Sequence, residues 1–502
     1  MELDVTDLSR LQFAVVTIYH YFFVPLSISL ASITAVMQTV WLRTGREEYK
    51  ALTLFLGRVL LVTFAVGVVT GLVQEFQFGL AWSDFARFYG DVFGPTLAME
   101  GMLAFFLEAT FLGLWYFGWN RLPAKIHLAT IWIVALGTIL SAFIILAANS
   151  FMQSPVAYTV NEETGRAELS NFFDLMTNEV NLAAFPHTAA GAAMAGGALV
   201  LAFGMWRAWG KNQVTDVTER AAWRKLARVG AWVTLAGAAA VSLTGDILGK
   251  VITKVQPMKM AAAEGLYETQ TGAPFSIFAL SWSPDEEPFF SLDIPYMLSI
   301  LAMGDPNAPV QGLDNLQAQY TELYGPGDYM PLIPMAYWTF RLMVGVGMLA
   351  ALLALVFLWF TRKGSHLDRS NWMHRMLMLT VPVLPVLPLA ANSFGWIFSE
   401  SARQPWLVFG LFHTEDGVSP GLTAPEVLLS IAGFTVVYGI LAVIWTRLVL
   451  HLGRQPLALE IGGVRDDDSS SGADTDSGAD TAPVSDTDAG VPDSRRQSAP
   501  SF

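Results

Sequence analysis

Gly395-Trp-Ile-Phe-Ser-Glu-Ser-Ala-Arg-Gln-Pro-Trp406 closes a long apolar run and leaves a carboxylate, Glu400, and a cation, Arg403, at its end. Trp396 and Trp406 flank the charges, and Pro405 lacks the amide hydrogen that would carry a helix further. A carboxylate at the edge of hydrocarbon is costly. It marks either a functional group with a partner or an interfacial Glu–Arg pair between aromatic anchors. The stretch alone does not separate the two. What decides the fold is that apolar runs like the one it ends recur along nearly the whole chain.

Of 502 residues, 53% are hydrophobic and 14% charged, with a mean hydropathy of +0.45. That is the composition of a polytopic, all-α integral membrane protein and not of a soluble domain this long. The net charge of −14 arises partly at the C-terminus, where nine Asp between Ile461 and Phe502 stand against Arg465, Arg495 and Arg496. The acidity therefore says little about the membrane part or its ligands, and no nucleic-acid partner is expected. The chain contains no cysteine. This excludes disulfides, thiolate-held iron–sulfur clusters, covalently attached c-type haem and Cys-based copper sites. A redox protein of this composition holds its cofactors through His, Met or carboxylate. The first apolar segment is too long for a cleavable signal peptide and lacks a basic start and a small-residue cleavage site.

Nine spans are each long enough to cross roughly 30 Å of hydrocarbon. They fall near 13–41, 51–74, 95–118, 126–149, 183–206, 227–249, 336–360, 373–398 and 425–449. Arg43, Arg46 and Lys50 follow the first span, and Arg121 and Lys125 the third. Arg207, Lys211, Arg220, Arg224, Lys225 and Arg228 follow the fifth, and Arg362, Lys363, Arg369 and Arg375 the seventh. The loops after spans two, four and eight carry one Arg each: Arg87, Arg166 and Arg403. This bias places the N-terminus outside and the C-terminus in the cytoplasm. A long outer loop, about 250–335, joins spans six and seven and opens on an ordered amphipathic piece from Gln256 to Glu264. The membrane part is read as 1–454. Residues 455–502, rich in Asp, Ser, Gly, Ala and Thr, are read as a disordered tail.

Seven histidines are present. His127, His366, His374, His413 and His451 lie in or beside loops and are expected to be solvated or interfacial. His20 lies within the first span, and His187 follows Pro186 at the outer start of the fifth. Gly191, Ala195, Gly196 and Gly197 follow His187; small residues admit a neighbouring helix, and equally leave room for a flat macrocycle beside an imidazole. Met343 sits in Arg341-Leu-Met343 at the same outer depth. Met is usually core filler, but His/Met is also an axial pair of electron-transferring haems, here necessarily b-type. Glu100 and Glu108 lie about two helical turns apart in the third span, and Ser141 and Asn149 share that spacing in the fourth. Stacked intramembrane carboxylates suit a proton relay or helix–helix hydrogen bonding.

At these residues the chain resembles subunit I of the cytochrome bd-type quinol oxidases, in the form with the shorter outer loop. The resemblance runs from Leu8 to the ninth span and rests on five motifs. They are Ser9-Arg-Leu-Gln-Phe with His20 downstream, Met99-Glu-Gly-Met through Glu108, Gln256-Pro-x-Lys-Met-Ala-Ala-x-Glu264, Phe340-Arg-Leu-Met-Val-Gly345 and Gly395-Trp-x-x-x-Glu-x-x-Arg-Gln-Pro-Trp406. One departure is Ala402, where the family usually has Gly. The resemblance implies that His187 and Met343 ligate a low-spin haem b. It implies that His20 and Glu400 ligate two high-spin haems at the oxygen site, with Glu100 beside them. Two haems b and one haem d are expected, or b in place of d, and which high-spin haem each ligand serves varies within the family. Glu108, Ser141 and Asn149 match the proton path; Gln256, Lys259 and Glu264 match the quinol-binding part of the outer loop. Arg341, Trp396 and Arg403 match residues around the haems.

The resemblance thus implies a quinol:oxygen oxidoreductase of the bacterial plasma membrane. It would oxidise quinol near the outer face, reduce O2 to water with cytoplasmic protons, and generate a proton motive force without pumping. Its partners would be a second subunit, small single-helix subunits and the bilayer. A proton-coupled secondary transporter using Glu100, Glu108 and Glu400 is the alternative; it calls for internal repeats, which the sequence lacks, although Pro382, Pro385 and Pro388 interrupt span eight. A haem–copper oxidase needs clustered histidines and is excluded.

Overall fold

A computed structural model describes residues 4–211, 213–281, 288–362 and 372–457. Lys363, His366, Arg369 and nearly all of the expected tail lie outside the described residues. Helix α1 (Val5–Thr44) starts where the Asp4 side chain accepts from the Thr6 amide and stops at Gly45, whose positive φ lets its N–H close onto Trp41. It is followed by α2 (Glu47–Leu80), α3 (Ser83–Met99), a π-helical segment (Glu100–Phe105) and α4 (Phe106–Phe117). Then come α5 (Ala124–Gln153), the hairpin β1 (Tyr158–Val160) and β2 (Ala167–Leu169), short α6 (Phe172–Met176), α7 (Glu179–Trp209) and α8 (Val217–Val255). The 250–335 region contains α9 (Pro257–Glu264), β3 (Gln270–Thr271), β4 (Phe275–Leu280), β5 (Phe290–Ile294), α10 (Met297–Met303), β6 (Pro309–Val310) and α11 (Leu313–Tyr324). The chain ends through α12 (Ile333–Phe360), α13 (Trp372–Thr380), α14 (Val386–Ser401), β7 (Trp406–Val408), β8 (Phe412–His413) and α15 (Ala424–Arg454).

The protein is mostly helical, and the strands form four two-stranded sheets in the connections. Among the described residues, eight helices are long and apolar enough to cross a membrane. Two expectations shift. The third span begins at Ser83, not near 95, and runs to Phe117 with a π turn in its middle. Its first part reads as a loop because Ser83, Asp84, Arg87 and Asp91 break the apolar pattern; it is helical because Phe85, Tyr89, Val92 and Phe93 make one buried face. The expected eighth span is divided into α13 and α14. Pro382 and Pro385 stand in the break between them, where prolines lack the amide hydrogens a continuous helix needs.

The bundle is tightest where α7 meets α8. A Cβ on Gly197 would stand 2.6 Å from the Thr234 backbone nitrogen, and one on Gly237 would stand 2.7 Å from that of Met194. Gly191 abuts Asn392 of α14, and Gly196 abuts Ser29 of α1. Of the two readings open for the small residues after His187, close helix approach is the one their neighbours display.

Candidate functional site

Between the helices, at the end where α9 docks, lies a cavity of about 1340 Å³. His20, Glu100, Glu108, His187, Met343 and Glu400 all line it, although they come from α1, the α3–α4 rod, α7, α12 and α14. Ser141, Asn149, Trp396 and Arg403 line it too, and so do Gln256, Lys259 and Glu264 at α9. Every expected site residue except Arg341 faces this one space.

The two cavity histidines have fixed tautomers. The Thr70 hydroxyl reaches the carbonyls of Val66 (3.0 Å) and Gly67 (2.9 Å), so its oxygen accepts from His20 Nδ1–H at 3.0 Å. His187 Nδ1 lies 3.2 Å from the Val241 carbonyl, which only accepts. In both rings the proton therefore sits on Nδ1 and the lone pair on Nε2, as a metal-ligating imidazole requires. His127 has the opposite arrangement. Its Nε2 donates to the Trp115 carbonyl (2.8 Å) and its Nδ1 accepts from Gln38 (2.8 Å), leaving no lone pair to spare. The expectation that His127 is solvated fails: it is 4% exposed, packed between Trp115 and Trp119. His374 is likewise buried. The polar loop that precedes α5 hid this, since burial comes from α1 and α4, far off in sequence.

His20, His187 and Met343 each also meet a glycine on a neighbouring helix. A Cβ on Gly71 would lie 3.0 Å from His20 Cε1, one on Gly245 3.2 Å from His187 Cε1, and one on Gly395 2.7 Å from Met343 Sδ. Side chains at these three positions would press on the ring or sulfur that faces the cavity. The donor set and the space both suit a flat, iron-bearing macrocycle.

Glu400 anchors a polar network. Its Oε1 accepts from Asn149 Nδ2 (3.0 Å) and Gln153 Nε2 (3.2 Å), and its Oε2 from Arg403 Nη2 (2.6 Å). A carboxylate has about four acceptor positions, so three bonds leave capacity for one more partner. Arg403 Nη1, buried, has no partner among the described residues. The Gln153 carbonyl oxygen accepts from Lys259 Nζ, which links α9 to Glu400 through one side chain. Sequence reasoning passed over Gln153, although it follows Asn149 by four residues on α5 and so shares its face.

The equally spaced polar residues of the third and fourth spans take different partners. Ser141 Oγ donates to Glu100 Oε1 (3.0 Å), whereas Asn149 serves Glu400. Glu108 is buried against Gly137, and its Oε1 has no partner among the described residues. The π segment that starts at Glu100 offsets it from Glu108, and such insertions often accompany functional sites.

Arg341 lies behind the cavity wall. It pairs with Glu264 (2.9 Å), donates to the carbonyls of Ala263 and Ser276, and stacks 3.5 Å from the Tyr337 ring centroid. It thus clamps α9 and β4 to α12. Burial pushes the Glu264 carboxyl up to about 7 against the opposing pull of Arg341. Burial, then Arg403, lowers the Lys259 ammonium to about 7, while Glu400 opposes them. Gln256 is buried with both side-chain polar atoms unpartnered among the described residues. The α9 wall therefore offers an acid, a base and an amide that titrate or bond near neutrality.

Residues 8–456 match the family model described as cytochrome bd terminal oxidase subunit I. The chain is 44% identical over 446 residues to the cytochrome bd ubiquinol oxidase subunit 1 of Bacillus subtilis (strain 168), covering 88% of this chain and 92% of that one. It is 34% identical over 485 residues to the cytochrome bd-II ubiquinol oxidase subunit 1 of Escherichia coli (strain K12), covering 85% of this chain and 92% of that one. Among solved structures it resembles the bd oxidase from Geobacillus thermodenitrificans, with a TM-score of 0.79 and 28% identity over 90% of this chain and 98% of that one.

Proposed function

Because the chain belongs to the cytochrome bd terminal oxidase subunit I family, it is a multi-pass membrane subunit of a haem-containing quinol oxidase with a partner subunit II, and we propose how its residues divide that work. His187 and Met343 hold a low-spin haem b. His20 and Glu400 hold two high-spin haems, one b and the other d or b, with Glu100 beside them. Bound there, the haems supply the electron transfer that couples quinol oxidation to O2 reduction. The observation that carries this reading is the pair of cavity histidines whose Nδ1 protons are fixed, leaving Nε2 free to bind iron.

Quinol is oxidised against α9. Each quinol gives up two electrons and two protons, and two quinols supply the four electrons that convert one O2 to two waters. Glu264, as carboxylate, accepts a quinol proton. Lys259 and Gln256 orient the ring oxygens, and Arg341 holds Glu264 in place. Asn149 and Gln153 hold Glu400 by hydrogen bonds, and the Arg403 guanidinium balances its charge. Protons for water formation reach the cavity by way of Glu108, Ser141 and Glu100 from the cytoplasm, and quinol protons leave outside. Charge separation follows without a pump. In this reading α13 and α14 together make a ninth crossing, the N-terminus is outside, and the protein resides in the bacterial plasma membrane. Small accessory subunits fit the same assembly. The membrane part is 1–454, followed by a cytoplasmic acidic tail.

A dithionite-reduced minus air-oxidised spectrum of the purified complex, with a pyridine haemochrome count, tests the assignment. A haem b band with a far-red band identifies d at the third position; b alone identifies b throughout. Absence of haem in protein from its own host overturns it. Met343→Leu should alter the low-spin band and spare the others; an unchanged band would remove Met343 from the ligand set.

A further inference from the structure

Beyond its base at Ser276 the β4–β5 hairpin has no role in the chemistry above, yet its two faces differ. Pairing of Phe275 with Ile294, Phe278 with Leu292 and Leu280 with Phe290 puts these six apolar side chains on one face. Ser276, Ala279, Ser291 and Asp293 occupy the other, and Ile277, 46% exposed, stands unpaired in a bulge between Ser276 and Phe278. Five of the six apolar residues, all but Phe275, are 37–53% exposed. An apolar face of this kind on an outer loop needs a covering.

Its position says what covers it. Phe278 packs edge-on against Trp338 of α12, with ring centroids 5.3 Å apart. Below Trp338, the exposed residues Leu342, Leu349 and Leu352 continue an apolar stripe along the same helix. A second exposed tryptophan, Trp359, ends that stripe. At 1.5 Å per residue the two tryptophans are about 31 Å apart along the axis, the thickness of the hydrocarbon layer. Trp338 and Trp359 therefore mark the two membrane interfaces, where indole rings concentrate. The hairpin sits at the level of the outer one.

We propose that the β4–β5 hairpin is an interfacial anchor: its apolar face lies on the outer leaflet, and its opposite face points to water beyond Ser276, which is buried at the base. A two-stranded sheet has unpaired backbone groups along both edges. These can be hydrated at the headgroup level but not in hydrocarbon, which limits the element to the interface. At its base the hairpin touches the chemistry. The Ser276 amide donates to Glu264 (3.3 Å), its carbonyl accepts from Arg341, and its hydroxyl meets Tyr337 OH (2.7 Å). Seating in the leaflet thus sets the position of Glu264. This consequence rests on the quinol reading, whereas the anchor itself does not.

The chain has no cysteine, so an introduced cysteine is the single thiol of this subunit. Leu292→Cys and Ser291→Cys, on opposite faces, are labelled with an environment-sensitive fluorophore in the assembled oxidase. The complex is reconstituted in phosphatidylcholine–phosphatidylglycerol bilayers, with the unsubstituted complex as blank. Lipids carrying a nitroxide near the headgroup should remove about half of the Leu292 emission, and iodide should quench it about fivefold less than the Ser291 probe. Equal quenching of both by iodide would place the hairpin in water. Quenching of the Leu292 probe by neither agent would mean that another protein surface covers it. Either result overturns the anchor. Phe290→Cys, on the same face, repeats the measurement if Leu292→Cys does not assemble. The topology is read without turnover, so it stands or falls apart from the quinol site.

Discussion

At Gly395, a single methyl group tests the arrangement around Met343. The Cβ of Gly395→Ala would stand 2.7 Å from the Met343 sulfur, well inside contact distance, so the thioether must swing away. At Gly347, on the same helix as Met343, an added Cβ meets only Ala391 at 3.8 Å. The expected outcome is a shifted or broadened low-spin haem band in Gly395→Ala and a native spectrum in Gly347→Ala, with both proteins assembled. Equal spectra would separate the sulfur from the haem. A second residue-scale expectation concerns acid. Glu264 titrates near 7, and as a proton acceptor it works only when ionised. Its carboxylate is lost as pH falls, so quinol oxidation should drop about tenfold per unit below 7. Glu264→Gln should lower the rate and abolish that acid limb; a mutant that keeps the same limb would assign it elsewhere. Glu100, Glu108 and Glu400 stand out in the sequence because carboxylates are rare in hydrocarbon, whereas Met343 and Glu264 are singled out by the motifs that carry the family resemblance. The glycines opposite them were not legible, because their partners lie on other helices.

One scale up, helices α1, α4 and α5 are joined by a closed ring of polar contacts. Trp115 Nε1 donates to Gln38 Oε1 (2.7 Å), Gln38 Nε2 to His127, and His127 Nε2 to the Trp115 carbonyl. Every donor and acceptor in the ring is satisfied, so removing one member strands its neighbours. His127→Ala should destabilise the subunit by about 1–3 kcal/mol, visible as earlier thermal loss of the assembled complex, while the haem bands at assembly stay native. A changed haem spectrum with unchanged stability would make His127 part of the site after all. At this scale the sequence was read unevenly. Apolar length alone located the eight helices that, among the described residues, are long and apolar enough to cross a membrane. Amphipathic α3 was missed since its buried face alternates with charge, and the division of α13 from α14 was foreshadowed only by the spacing of Pro382, Pro385 and Pro388. The four small sheets were not foreseen, as strands of two to six residues carry too little pattern to be told from loops.

For the whole molecule, the decisive question is which face is which. Arginines and lysines gather at the α1–α2, α4–α5 and α7–α8 connections, whereas α9 and the β1–β2 hairpin lie at the other ends of these helices. The basic ends should be cytoplasmic, which puts α9 and its titrating groups outside. Then each electron taken from quinol releases its proton outside while a cytoplasmic proton is consumed, and the charge displaced stores about 2.3 kcal/mol for every 100 mV of potential. Lys125 and Thr164 are exposed at opposite ends of α5 and the hairpin after it. In right-side-out vesicles a membrane-impermeant maleimide should label Thr164→Cys at once and Lys125→Cys only after lysis. The same vesicles, given quinol, should develop a potential positive outside. If Lys125→Cys were the accessible one, the molecule would stand the other way up, with α9 and Glu264 toward the cytoplasm. Quinol protons would then be released inside and the protons for water drawn from outside, so the same vesicles would develop a potential negative outside, and the reading of the basic ends as cytoplasmic would fall.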